Sequence, residues 1–183
     1  MLCNGIDIEQ LAAFGELLYT TPEAGALSVE VRTDWTDGYT VTADTAGITV
    51  GDESFPREHT LAVDLPQGLG GQDRGAAPGE LLLSALGACV TQAFVEEAAV
   101  HGVIVRGLRV TAEAELDLRG AAGIEGVRPG ISHIHLGFEV DCAASGEVVE
   151  ELVTAAVRTS PIADTLTPGV AIDVIVRQPS RSG

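Results

Sequence analysis

Cys89 closes the segment PGELLLSALGAC, residues 78–89, in which a proline opens an almost wholly apolar helical run and a thiol follows about three turns later. Such a cysteine is either a small buried hydrophobe or, as a thiolate, a nucleophile suited to redox chemistry. Eleven residues into a helix is about 16 Å along its axis, beyond the first turn where the helix dipole acts, so only a nearby cation could favour the thiolate. Arg57 and Arg74 are the guanidinium groups that precede the helix. Of the other thiols, Cys142 falls on the inward face of a strand and reads as core packing, while Cys3 sits near the N-terminus, where its one chemical role would be intermolecular resolution. His133 and His135 share one face of a strand, a spacing that can hold a metal, and Glu113, Glu115 or Asp117 are the acids available to face them from a neighbouring strand. Spacing specifies no third ligand, so the pair reads as solvated and no metal or cofactor is expected. Ser160 lacks a Gly-x-Ser-x-Gly elbow and reads as a cap or a hydrogen-bonding core residue.

The chain of 183 residues carries a net charge of −17, and all ten of its cations are arginines. Without lysine, a Schiff base and a P-loop are both excluded, and the acidic balance disfavours the phosphates that dominate nucleic-acid affinity. Neither nucleic acid nor an anionic membrane is an expected partner. Three scattered cysteines make neither a disulfide framework nor a CxxC zinc site, and the thiols are expected to be reduced. Asp7 and Glu9 stand where a signal peptide would need a basic start, and no run approaches the ~18 consecutive apolar residues of a membrane helix. The expected location is the cytoplasm.

The elements that must position these residues follow from periodicity. Ile6, Ile8, Leu11, Ala12, Leu17 and Leu18 suit a short amphipathic helix over 6–19, an N-terminal appendage ending before Pro22. Val29, Val31 and Trp35, then Tyr39, Val41 and Ala43, alternate on either side of Asp37-Gly38 and predict a hairpin at about 27–45. Short strands are expected at 48–50 and about 59–63, followed by a glycine- and proline-rich loop over 65–77, long enough to suggest function. The helix from Pro78 to His101-Gly102 is apolar on nearly every face, which predicts full burial, with close approach of another element at Gly87. Glu96-Glu97 mark where its end meets solvent. Strands at 108–118 and 131–142 alternate cleanly and should pair antiparallel across the Gly120–Gly130 loop. A helix over 146–158 and a last strand from Val170 to Val176 complete an α+β order, with helices on one face of an antiparallel sheet.

The Pro78–Cys89 helix, with Gly70-Gly71-Gln72-Asp73-Arg74 before it and Ser160-Pro161-Ile162 and Asp164-Thr165-Leu166 far downstream, resembles the OsmC/Ohr family of hydroperoxide-detoxifying proteins over roughly residues 27–177. The resemblance implies an OsmC-like fold, with an antiparallel sheet packed on two long core helices, in an intertwined homodimer whose active sites form between subunits. With the N-terminal helix and the polar tail, the chain is expected to divide into an N-terminal helical appendage over 1–24, the OsmC-like domain over 25–178 and a disordered tail over 179–183. The resemblance further implies a thiolate that attacks an organic hydroperoxide, with Cys89 as nucleophile and Arg74 or Arg57 as its partner. The family's second cysteine is replaced by Ser160, so resolution would need an external thiol. The glutamate that peroxide-reducing subgroups place after the proline is Gly79 here. Glu80, one position later as in other OsmC-like members, joins Cys89, Arg74 and Arg57 as a candidate site residue. The competing expectation is a non-catalytic OsmC-like domain that binds a small apolar ligand, and a weaker one is an interaction module using the N-terminal helix.

Overall fold

Fourteen strands and α-helices are defined in a computed structural model, which describes residues 1–167 and 171–177. The chain divides into two units, one formed by Glu9–Leu82 and the other by Met1–Ile8 with the chain from Leu83 onward. Residues 168–170 and the expected tail beyond Arg177 lie outside the described residues.

The larger unit opens with a miniature hairpin, β1 (Leu2–Cys3) and β2 (Ile6–Asp7), turned by Asn4 and Gly5 at positive φ of 51° and 81°. An Asn-Gly pair favours this two-residue turn because both residues tolerate the left-handed region. The hairpin takes Ile6 out of the expected helix, and α1 runs instead over Ile8–Thr20. Asn4 also fixes the hairpin to its unit. Its Nδ2 donates to the Val103 carbonyl at 2.9 Å, and its Oδ1 accepts the Val105 N–H at 3.0 Å. Cys3 is consequently buried rather than held on a loose terminus.

Helix α2 (Pro78–Val100) starts with proline at its first position and ends in a Schellman motif: the Val103 N–H reaches the Ala98 carbonyl at 2.8 Å and the Gly102 N–H reaches Ala99 at 3.0 Å. Gly102, at φ 68°, permits that closure. The helix is long and apolar enough by composition to span a bilayer, a property that counting uninterrupted apolar residues missed. Its residues Leu86, Val90, Phe94 and Ala98 form a buried stripe that packs into the unit's core, as a core helix does. Full burial on every face does not occur, because this stripe occupies one side and leaves Leu82 and Val100 exposed. A Cβ built at Gly87 would meet nothing within 4 Å, so the close approach expected there is absent among the described residues.

The stripe rests on a three-stranded sheet of β7 (Val105–Glu115), β8 (His133–Cys142) and β9 (Ala171–Arg177), with β8 central. Ile134, Leu136, Phe138, Val140 and Cys142 all turn into the core, as their alternation requires. The β7–β8 pair is antiparallel, and a short helix, α3 (Leu118–Ala121), lies in the connection. In contrast to an all-antiparallel sheet, β9 joins β8 in parallel. Parallel neighbours need a crossover, and α4 (Gly146–Thr159) and α5 (Pro161–Leu166) supply it. Ser145 caps α4, whose Val149, Leu152, Val153 and Ala156 are buried at helical spacing.

In the other unit, β4 (Thr40–Val50) pairs with β3 (Leu27–Asp37), β5 (Glu53–Phe55) and β6 (Thr60–Val63), all antiparallel. The short strand expected at 48–50 is therefore the end of β4. The alternation of β3 does not bury a face within this chain: Leu27, Val29, Val31 and Trp35 are all exposed.

The segment 65–77 is a folded turn, organised by Asp64, which is 1% exposed. One carboxylate oxygen accepts the Leu65 N–H at 2.8 Å, and the other accepts the N–H groups of Gln72 at 3.1 Å and Arg74 at 3.2 Å and the Thr40 hydroxyl at 3.4 Å. Gly71 and Gly75 allow the chain to close, since a Cβ on either would fall within 1.9 and 2.1 Å of the Leu65 and Ala62 carbonyl oxygens. Burial acts to raise the Asp64 pKa, but the hydrogen bonds from Leu65, Arg74, Gln72 and Thr40 outweigh it and hold the carboxyl below the usual aspartate range.

Two outcomes follow from this packing. Phe94, fully buried with its ring centroid 6.3 Å from that of Phe138, should lose about 3–5 kcal/mol of stability to urea on replacement by alanine. Because the Asp64 pKa is depressed on folding, its charged form contributes stability that is present above about pH 4 and lost as pH falls through its lower folded value. Asp64→Asn should therefore lower the unfolding temperature at neutral pH and expose 65–77 to proteolysis, with the gap to wild type shrinking on acidification; a gap independent of pH would contradict this account.

Candidate functional site

Cys89 stands between the buried positions Leu86 and Val90 on α2, on the margin of the stripe, and is neither buried nor fully exposed. Helical geometry explains the position: at ~100° per residue, a side chain adjacent to the stripe keeps one flank open while the other meets the core. Its neighbour there is Ser160, the fully buried residue between α4 and α5. The Ser160 backbone is extended at φ −74° and ψ 114°, which breaks the helix, and Pro161 restarts it as the first residue of α5.

Ser160 Oγ accepts the Ala163 N–H at 3.2 Å, capping α5, and donates to Cys89 Sγ at 3.1 Å. A hydroxyl has one hydrogen. With the backbone N–H directed at the oxygen lone pair, that hydrogen is left for sulfur. The hydroxyl therefore holds the sulfur at a fixed place against the start of α5. It cannot form a disulfide. Cys3, Cys89 and Cys142 are all free, and Cys142 lies in the core as its strand position implies.

The remaining sequence candidates belong to the Glu9–Leu82 unit. Glu80, third residue of α2, accepts the Ala77 N–H through Oε2 at 2.7 Å, which satisfies a donor at the helix start as in a capping box. Arg74 is fixed through its backbone N–H to Asp64, and Arg57 lies in the exposed link between β5 and β6. Among the described residues neither guanidinium has a carboxylate within ion-pair distance, whereas Arg32, Arg106, Arg109 and Arg119 each pair with one. Sequence reasoning overlooked Asp64, whose role emerges only when three backbone N–H groups converge on it. It also missed the bond between Cys89 and Ser160, which are 71 residues apart.

These features define an α+β domain with a half-buried helical thiol set against a helix-capping hydroxyl. The family model described as OsmC-like protein matches residues 70–175, and the chain belongs to that family. Among solved structures, an OsmC-like protein from Mycoplasma pneumoniae superposes with a TM-score of 0.67 at 18% identity, covering 82% of this chain and 96% of that one. An organic hydroperoxide resistance protein OsmC from Legionella pneumophila gives 0.60 at 19% identity, covering 81% and 96% respectively. One from Elizabethkingia anophelis, with thiocyanate bound, gives 0.61 at 18%, covering 82% and 96%. At such identities the likeness establishes the fold. Comparison with curated protein sequences found no match.

The Cys89–Ser160 contact yields a direct prediction. Ser160→Cys should form a disulfide with Cys89 on mild oxidation, detected as the loss of two hydrogens in intact mass and a linked peptide, since a sulfur placed at Oγ needs only a shift of about 1 Å to reach bonding distance. Ser160→Ala, which removes the α5 cap at the Ala163 N–H, should cost about 1 kcal/mol of stability to urea.

Proposed function

We propose that the protein is a thiol-dependent peroxidase that reduces organic hydroperoxides through Cys89. The observation that carries this reading is the half-buried Cys89 sulfur receiving the Ser160 hydroxyl at 3.1 Å, in a chain of the OsmC-like family. In the proposed reaction the Cys89 thiolate attacks the terminal peroxide oxygen and the O–O bond breaks heterolytically. Sulfur loses two electrons and becomes a sulfenic acid, while the departing alkoxide takes a proton to give the alcohol. Because position 160 carries a hydroxyl, an external thiol then attacks the sulfenic sulfur, releasing water, and a second thiol frees Cys89 by disulfide exchange.

Arg74 and Arg57 are the proposed partners for the thiolate, consistent with guanidinium groups that make no ion pair among the described residues. Arg74 is the better supported of the two, because the Asp64 network fixes its backbone. Glu80 would act by holding the start of α2. The working form is proposed to be a cytoplasmic homodimer. A second subunit would cover the apolar residues of β3 that the single chain leaves exposed.

Consumption of cumene hydroperoxide in the presence of excess dithiol tests the reading. Wild type and the Cys3→Ser and Cys142→Ser variants should turn over, and Cys89→Ser should be inactive. Arg74→Gln should lower kcat/KM by about ten-fold or more, the loss of one charge-assisted contact. Equal turnover by Cys89→Ser, or none by folded wild type with its thiol reduced, would remove peroxidase activity from the account.

A further inference from the structure

His133 and His135 find in the sheet a third donor that sequence spacing did not specify. They lie two residues apart on β8 and project from the face opposite the buried Ile134 and Leu136. Asp173 of β9 is the register partner of His135, and a parallel ladder brings its carboxylate to the same face. The His133 Nε2 and His135 Nδ1 both approach one carboxylate oxygen of Asp173, the former in hydrogen-bond contact and the latter at 3.6 Å. The two imidazole centroids are 4.2 Å apart, and one donor atom from each of the three residues lies within 4.8 Å of the others.

We propose that His133, His135 and Asp173 form a divalent transition-metal site that links the edge strand β9 to the central strand β8. The donor set is two imidazole nitrogens and one carboxylate oxygen, a combination that suits zinc and its neighbours cobalt and nickel rather than magnesium or calcium, which prefer oxygen. Metal–ligand bonds of about 2.0–2.2 Å place tetrahedral donors roughly 3.3 Å apart, so the observed spacings need only small side-chain rotations. The strand backbones are already fixed by the β7–β8 and β8–β9 ladders, which leaves little to organise on binding.

The charge around the cluster favours a cation. Glu113 and Glu115 on β7 are the register partners of His135 and His133. The arginines of this sheet face, Arg109 and Arg177, are register partners of Glu139, further along β8. All three proposed ligands retain solvent exposure, so at least one coordination position would hold water. Because the ligands come from two strands, binding should tie β9 to the sheet and stabilise the folded chain, which is the property that separates a site from a histidine–carboxylate ion pair.

The test uses the full chain with reduced thiols and zinc as the probe. Dialysis followed by metal analysis should find one zinc per chain, with a rise in unfolding temperature when zinc is present. Asp173→Asn, which keeps the side-chain shape, and His135→Ala should each weaken binding by at least about ten-fold and abolish the thermal shift, whereas His59→Ala and His101→Ala should leave both unchanged. Cobalt should give a d–d spectrum without the thiolate charge-transfer band that a cysteine ligand would produce. No stoichiometric zinc, binding unaffected by Asp173→Asn and His135→Ala, or a thiolate band with cobalt would each overturn the proposal. These readouts do not depend on peroxidase activity, so the two readings can fail separately.

Discussion

The structure depends first on the packing of the α2 stripe against β8. Leu86, Val90, Phe94 and Ala98 recur at a spacing of four, and Phe138 with its inward neighbours on β8 supplies the surface they rest on. Each large side chain buried there contributes roughly 1.5–3 kcal/mol, and together they fix the rotation of the helix about its axis. That rotation determines what Cys89 can do. One position nearer the centre of the stripe it would be an inert core thiol, and on the opposite side it would have no protein partner.

The same packing brings α4 and α5 to the thiol. The stripe of α4 shares the core with α2, and the break between α4 and α5 places Ser160 beside Cys89. The serine has two tasks that depend on different atoms of one hydroxyl: its oxygen caps a helix and its hydrogen meets the sulfur. In the other unit Asp64 has a comparable role, gathering three backbone N–H groups so that 65–77 is folded rather than loose. Both are polar groups placed out of water with every hydrogen-bonding need met, an arrangement that specifies local geometry because leaving any partner unpaired is costly.

Much of this was legible in the sequence because it is written in local periodicity. The inward set of β8, the stripe of α4, the proline start and glycine end of α2, and the Asp37-Gly38 hairpin all follow from patterns of two or about four residues. What failed was the inference from composition to burial. The apolar faces of α2 and β3 look like core in sequence, yet Leu82, Val29 and Trp35 are exposed in the single chain, because periodicity tells which side is apolar and not what covers it. The parallel pairing of β9 was hidden because alternation is the same for either strand direction. Gly87 invites a close approach in sequence but meets nothing, while backbone does crowd Gly71 and Gly75, in the loop that Asp64 closes. At the site, Cys89 could be singled out from its helix, but its contact with Ser160 and the arrival of Asp173 beside two histidines are tertiary events that no spacing encodes.

The account's central claim is that the margin of the α2 stripe presents a reactive sulfur. Trapping with dimedone during brief exposure of the reduced protein to a small excess of organic hydroperoxide, followed by peptide mapping, tests it most directly. The account predicts rapid labelling confined to Cys89, with Cys3 and Cys142 unmodified, because those two residues are buried and Cys89 is only partly so. A Cys89 that remains an unmodified thiol while hydroperoxide persists would contradict it, and would mean that the fold holds this cysteine for packing alone.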